Sequence, residues 1–145
     1  MELLFGNHVR SGGRRIGYLA GAEVVAGSRR VTKIIFSDDG KLGSHAQTRS
    51  IEAVHVERGR VVIGQTLPGK PAEAGTLLLS RSVTLVRGGR QAGHLAGVVV
   101  GDGGLLESAI GRQHWWTGRF RLPASTLDLS QPGEIRTGAN ASRAA

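Results

Sequence analysis

The residues best equipped for chemistry are gathered in one segment, Arg112-Gln113-His114-Trp115-Trp116-Thr117-Gly118-Arg119-Phe120-Arg121, which holds both tryptophans of the chain. A guanidinium offers a planar fork of donors to carboxylate or phosphate. An indole offers a large flat apolar face. Together they make an interface anchor for a protein partner, or a platform on which an unpaired base stacks. If the segment is a strand, adjacent side chains point to opposite faces, so one of Trp115 and Trp116 leaves the interior. The competing reading is that a tryptophan seals the groove between two parts of the molecule.

A second cationic set flanks two Gly-Gly pairs: Arg10, Arg14 and Arg15 around Gly12-Gly13, and Arg87 and Arg90 around Gly88-Gly89. These arginines are either a clamp for an acidic or phosphate-bearing surface or solvated hairpin tips. The candidate partner-binding residues are thus Arg112, His114, Trp115, Trp116, Arg119 and Arg121, with Arg10, Arg14, Arg15, Arg87 and Arg90.

Other chemistries find less support. His8, His45, His55, His94 and His114 show no close pairing with a third ligand at a familiar metal-site spacing. His45 and His55 could meet across a hairpin, but no carboxylate is placed beside both. The absence of cysteine excludes disulfides, thiolate catalysis and zinc–sulfur sites. Asp38-Asp39 adjoins Gly40, where aspartate serves a turn through local hydrogen bonding. No paired carboxylates in a matched context and no G-x-S-x-G element are present. The expectation is a protein that is not an enzyme and holds no metal or cofactor.

Composition sets the frame for these side chains. The 145 residues suffice for one ordinary domain or two small ones. With 39% hydrophobic and 21% charged residues the chain falls in the globular range rather than the disordered one. The net charge is +8, from 19 basic residues of which only Lys33, Lys41 and Lys70 are lysine. Such a surplus favours polyanionic partners, since each cation set against a phosphate releases counterions; an arginine-rich composition from a GC-rich genome would look the same. The excess divides equally, +4 for residues 1–67 and +4 for residues 68–145, so neither half is a basic arm on a neutral body. No apolar run approaches the roughly 18 residues of a membrane span, and MELLFGNHVR lacks the pattern of a signal peptide. A cytoplasmic protein without an integral membrane segment is the plainest expectation.

The elements that must position these groups are written twice. GGRRIGYLAG (residues 12–21) returns as GGRQAGHLAG (residues 88–97), seven of ten positions identical and every match 76 residues downstream. Leu3-Leu4 parallels Leu78-Leu79, Val9 parallels Leu85, and Ile34 parallels Ile110. One residue is then lost, so Gly43 parallels Gly118, and Ile51 and Val54 fall near Leu127 and Leu129. Two copies of one fold unit follow: residues 1–66 and 77–138, joined by a linker at 67–76 and followed by a tail at 139–145. Each copy reads as strands. In the first these are Asn7–Ser11, Arg14–Val25, Arg29–Phe36, Leu42–Arg49, Ile51–Glu57 and Arg60–Gln65. The Gly-Gly pairs suit primed hairpin turns, in which both central residues need positive φ. Gly17 and Gly21, like Gly93 and Gly97, are expected on one face of a strand, giving it a sharp bend and room for another backbone. Leu19 and Leu95 between them are expected to fill the interior.

The segments Gly13-Arg14-Arg15-Ile16-Gly17-Tyr18-Leu19 and Gly89-Arg90-Gln91-Ala92-Gly93-His94-Leu95, with the later step Leu122-Pro123-Ala124-Ser125-Thr126-Leu127, resemble the PRC-barrel domain. Thr48-Arg49-Ser50-Ile51 holds the position of that step in the first copy and lacks the proline. The resemblance implies an all-β fold of two small PRC-barrel-like antiparallel β-barrels in tandem. An exchanged arrangement stays open, because Leu77–Leu79 could complete either barrel. It also implies a non-catalytic docking or adaptor role, as in the reaction centre H subunit and the ribosome maturation factor, without fixing the partner. A protein is the first expectation for that partner; RNA or DNA is the second, and self-association is left open.

Overall fold

The structure, a computed structural model, describes residues 1–43, 45–64, 75–114 and 116–137. Those residues form strands and short 3-10 turns, with no α-helix among them. The first copy contributes β1 (Glu2–Leu4), β2 (His8–Ser11), β3 (Arg14–Val25), β4 (Arg30–Ser37), β5 (Gln47–Ser50), β6 (Val54–Glu57) and β7 (Arg60–Ile63). The second contributes β8 (Thr76–Ser80), β9 (Thr84–Arg87), β10 (Arg90–Val100), β11 (Leu106–Arg112), β12 (Arg119–Pro123), β13 (Leu127–Asp128) and β14 (Glu134–Thr137). The expected linker ends one residue early, because Thr76 already belongs to β8; residues 65–74 and the tail from residue 138 lie outside the described residues.

Two seven-stranded sheets result, with the same path. One runs β5-β4-β3-β2-β7-β6, the other β12-β11-β10-β9-β14-β13. The strand missing from each path comes from the other copy: β8 pairs with β3 and β1 pairs with β10. The copies therefore exchange their first strands reciprocally. Leu77–Leu79 completes the sheet of the first copy, and Leu3 faces Val98 in the sheet of the second. This register also refines the repeat. Leu3 and Leu79 occupy equivalent positions, opposite Val98 and Ala22, so Leu3-Leu4 matches Leu79-Ser80. Ile110 faces Gly97 as Ile35 faces Gly21, so the residue is lost in the turn before β11 and not after it.

The Gly-Gly pairs form the expected two-residue hairpin turns. Gly12 and Gly13 have φ of 58° and 78°, and Gly88 and Gly89 have 60° and 78°. Gly21 and Gly97 explain why the repeat keeps its string. A Cβ at Gly21 would lie 2.5 Å from the carbonyl oxygen of Leu79, and one at Gly97 would lie 2.3 Å from that of Leu3. Both carbonyls belong to the exchanged strands, so each glycine opens the space through which the partner copy's backbone enters. Gly17 and Gly93 do not share that task. They lie against the carbonyls of Ser37 and Arg112, at the ends of β4 and β11. The expected common face is broken because the register slips between Leu19 and Gly21, and between Leu95 and Gly97, placing one extra residue in each strand. Leu19 and Leu95 are buried, as expected.

Two further expectations are corrected. Each sheet has one parallel pairing, β2 with β7 and β9 with β14, so neither copy is wholly antiparallel. Ile51–Ala53 is a 3-10 turn, and the strand expected from Ile51 starts at Val54. That turn, like Ala124–Thr126 in the second copy, leads the chain from one end of the sheet path to the other, drawing the two ends together. No ladder between them closes the sheet among the described residues. The residue before each turn has the same backbone conformation, φ −59° and ψ 140° at Ser50 and φ −58° and ψ 138° at Pro123. Pro123 holds that φ through its ring. Ser50 instead accepts a hydrogen bond from the Glu52 N–H at 3.4 Å. Finally, buried residues of both copies, from Leu3 to Ile135, form one continuous apolar cluster, so the repeat does not produce two separate cores.

Candidate functional site

The segment with the tryptophans is not one strand. β11 ends at Arg112 and β12 begins at Arg119, and the residues between them form a loop. Its turn is closed by Thr117: the hydroxyl donates to the His114 carbonyl at 2.8 Å and accepts from the His114 N–H at 3.0 Å. Strand alternation therefore does not apply to Trp116. Trp116 is 66% exposed, so it does not seal a groove between the copies. Its indole lies flat against the His114 imidazole, with ring centroids 4.6 Å apart and planes 5° from parallel. Trp115 lies outside the described residues.

Beneath this loop the ladder lines up three basic side chains. His94 on β10 faces Arg112 on β11, and Arg112 faces Arg119 on β12. Directly opposite residues of an antiparallel pair project on one face, and like charges placed so are destabilising. The row thus sets two guanidiniums and an imidazole on one sheet face. It opens on a groove of about 510 Å³ between the second copy and the exchanged amino-terminal strand. Arg81, Arg112, Arg119, His94 and His114 line the groove, Leu4, Phe5 and Leu95 supply apolar surface, and no carboxylate lines it. Arg81 is held in place: its Nη2 donates to the Phe5 carbonyl at 2.6 Å. Gly6, with φ of 94°, leaves room for that guanidinium, since a Cβ there would lie 2.2 Å from Arg81 Nη2.

The other expected site residues lie elsewhere. Arg121 is exposed and paired with Glu2 of the exchanged strand, beside the groove but not in its lining. Arg10 Nη2 donates to the Gly13 carbonyl at 2.6 Å, within its own hairpin. The Arg15 guanidinium lies over the Tyr18 ring, 5.4 Å from its centroid. Arg14 and Arg90 are exposed, and Arg87 faces Arg90 across the second hairpin. None of these five lines the groove. Of the histidines, His94 and His114 share the groove. His55 on β6 meets Glu57 at 3.1 Å, and β6 pairs with β7, so no hairpin sets it opposite His45. Among the described residues no three or more His, Asp or Glu side chains gather as a metal site would need.

Arg81 and His94 escaped the sequence reading, though a signal for both existed. His94 replaces Tyr18 at one of the three positions where the repeated string differs, and Arg81 stands 76 residues after Phe5. Differences between the copies, more than identities, point to the groove.

Among the described residues no helix is long and apolar enough to cross a membrane. Comparison with protein-family models and with curated proteins finds no match to this chain.

Proposed function

We propose that this chain is a non-catalytic docking protein built from two PRC-barrel-like units, and that it grips an anionic macromolecule in the groove of the second unit. The observation that supports this most is the row His94–Arg112–Arg119, extended by Arg81 and His114, in a groove with no carboxylate in its lining. Two guanidiniums set opposite each other on one sheet face concentrate positive potential, which attracts a polyanion. Among the described residues four large apolar side chains are exposed, those of Leu42, Leu78, Leu105 and Trp116, and Trp116 stacks on His114 of the groove lining. The recognition surface is therefore cationic with a single aromatic anchor.

Heparin, a polyanion without bases, tests the reading by calorimetry at two salt concentrations. Binding that weakens steeply with salt is expected, and Arg119→Ala should lower the salt slope by about one. No binding at low salt, or binding that Arg14→Ala abolishes while Arg119→Ala leaves it intact, would overturn it.

A further inference from the structure

We propose that the anionic partner is a single-stranded nucleic acid, one base of which stacks on the Trp116 indole while neighbouring phosphates meet Arg112 and Arg119. The inference rests on the docking reading and adds the class of partner. Charge alone would suit any polyanion, so the aromatic geometry decides. Trp116 is held flat on His114 by a loop closed twice through Thr117, and it remains 66% exposed. A rigid pair of parallel aromatic planes extends naturally by a third, at a cost in ordering already met in the free protein. Unpaired bases present such planes; the bases of a duplex are stacked on one another and present only their edges. An acidic peptide without aromatic residues would satisfy the guanidiniums but offers no ring for the indole. Arg112 and Arg119 face each other at the strand ends that flank the segment carrying Trp116. Arg81 and His94 carry the positive lining onward toward the exchanged strand.

The test compares four probes on the intact protein by fluorescence anisotropy: a short labelled oligo-dU, an abasic strand of equal length, the matching duplex, and heparin as competitor. The expected order places oligo-dU about tenfold tighter than the abasic strand, in keeping with one stacked base. Trp116→Ala should erase that difference, and Trp116→Phe should retain most of it. Circular dichroism should show both variants folded, since the side chain is exposed. Equal affinity for the oligo-dU and abasic strands, or preference for the duplex, overturns this inference and leaves the docking reading in place. Failure of every probe, heparin included, at low salt removes both.

Discussion

The loops that follow β4 and β11 stand at equivalent places on matched frameworks and present opposite chemistry. In the first copy, Tyr18 faces Ser37, and the loop begins with Asp38-Asp39-Gly40. Asp39 Oδ1 accepts from the Lys41 N–H at 2.9 Å and lies 3.1 Å from the Ser37 hydroxyl. Those two contacts, the first being the larger influence, hold its carboxyl below the usual value of 3.8. In the second copy, His94 and Arg112 replace Tyr18 and Ser37. A neutral threonine hydroxyl closes the turn, and an exposed indole crowns it. In the first loop Asp39 is satisfied by its own turn; the strand ends of the second carry guanidiniums in place of a serine and a neutral neighbour. The contrast shows how a duplicated unit divides labour. The strands, the Gly-Gly turns and the exchange are held in common, and the copies differ in one loop and the strand ends that flank it.

The common part is where the largest effects lie. Cleavage at a protease site placed between residues 67 and 74 should leave the two pieces bound to each other, because each donates a strand to the other's sheet. Gel filtration should return the mass of the intact 15.2 kDa chain, and each piece alone should lack a cooperative unfolding transition. Two stable separate pieces would break the comparison at its foundation. Gly21→Ala and Gly97→Ala should each destabilise by about 1–3 kcal/mol, since the new methyl must displace a backbone carbonyl. Chemical denaturation should give similar losses for the pair; a loss at only one position would mean that the two exchanges are not equivalent.

Binding effects come next. Replacing Arg112 and Arg119 together by glutamine should preserve the fold and abolish heparin binding, read by calorimetry. Retained binding would return the positive charge to its bulk, compositional role. The smallest effect sharpens the acidic side. Asp39 has a depressed folded-state pKa, so its contribution to stability is present above the ordinary carboxylate value and is lost as pH falls through the lower folded value. Carbon-detected NMR titration should place its midpoint below 3.8, and Asp39→Asn should move that acid-side loss of stability without touching binding.

Much of the framework was legible in the sequence because it depends on local chemistry. Gly12-Gly13 and Gly88-Gly89 can only be turns that need positive φ, and β3 spans Arg14–Val25 as the pattern predicts. The strand exchange was legible only as an alternative. Leu3 and Leu79 are equally apolar, and nothing local states which sheet each joins. For the segment between β11 and β12 the sequence left a strand open as one case, whereas the contact that closes the turn is a threonine hydroxyl on a backbone three residues away. The groove itself is non-local. Arg81 reaches it through Phe5, a contact that exists only because the amino-terminal strand crosses into the other sheet.

The most direct test of the central claim is an amide NMR titration of the intact protein with heparin. The account predicts shifts concentrated at Arg81, His94 and residues 112–119, with the Asp38–Gly40 turn and the Gly12-Gly13 hairpin unmoved. Shifts centred on that hairpin, or spread equally over equivalent positions of both copies, would contradict it.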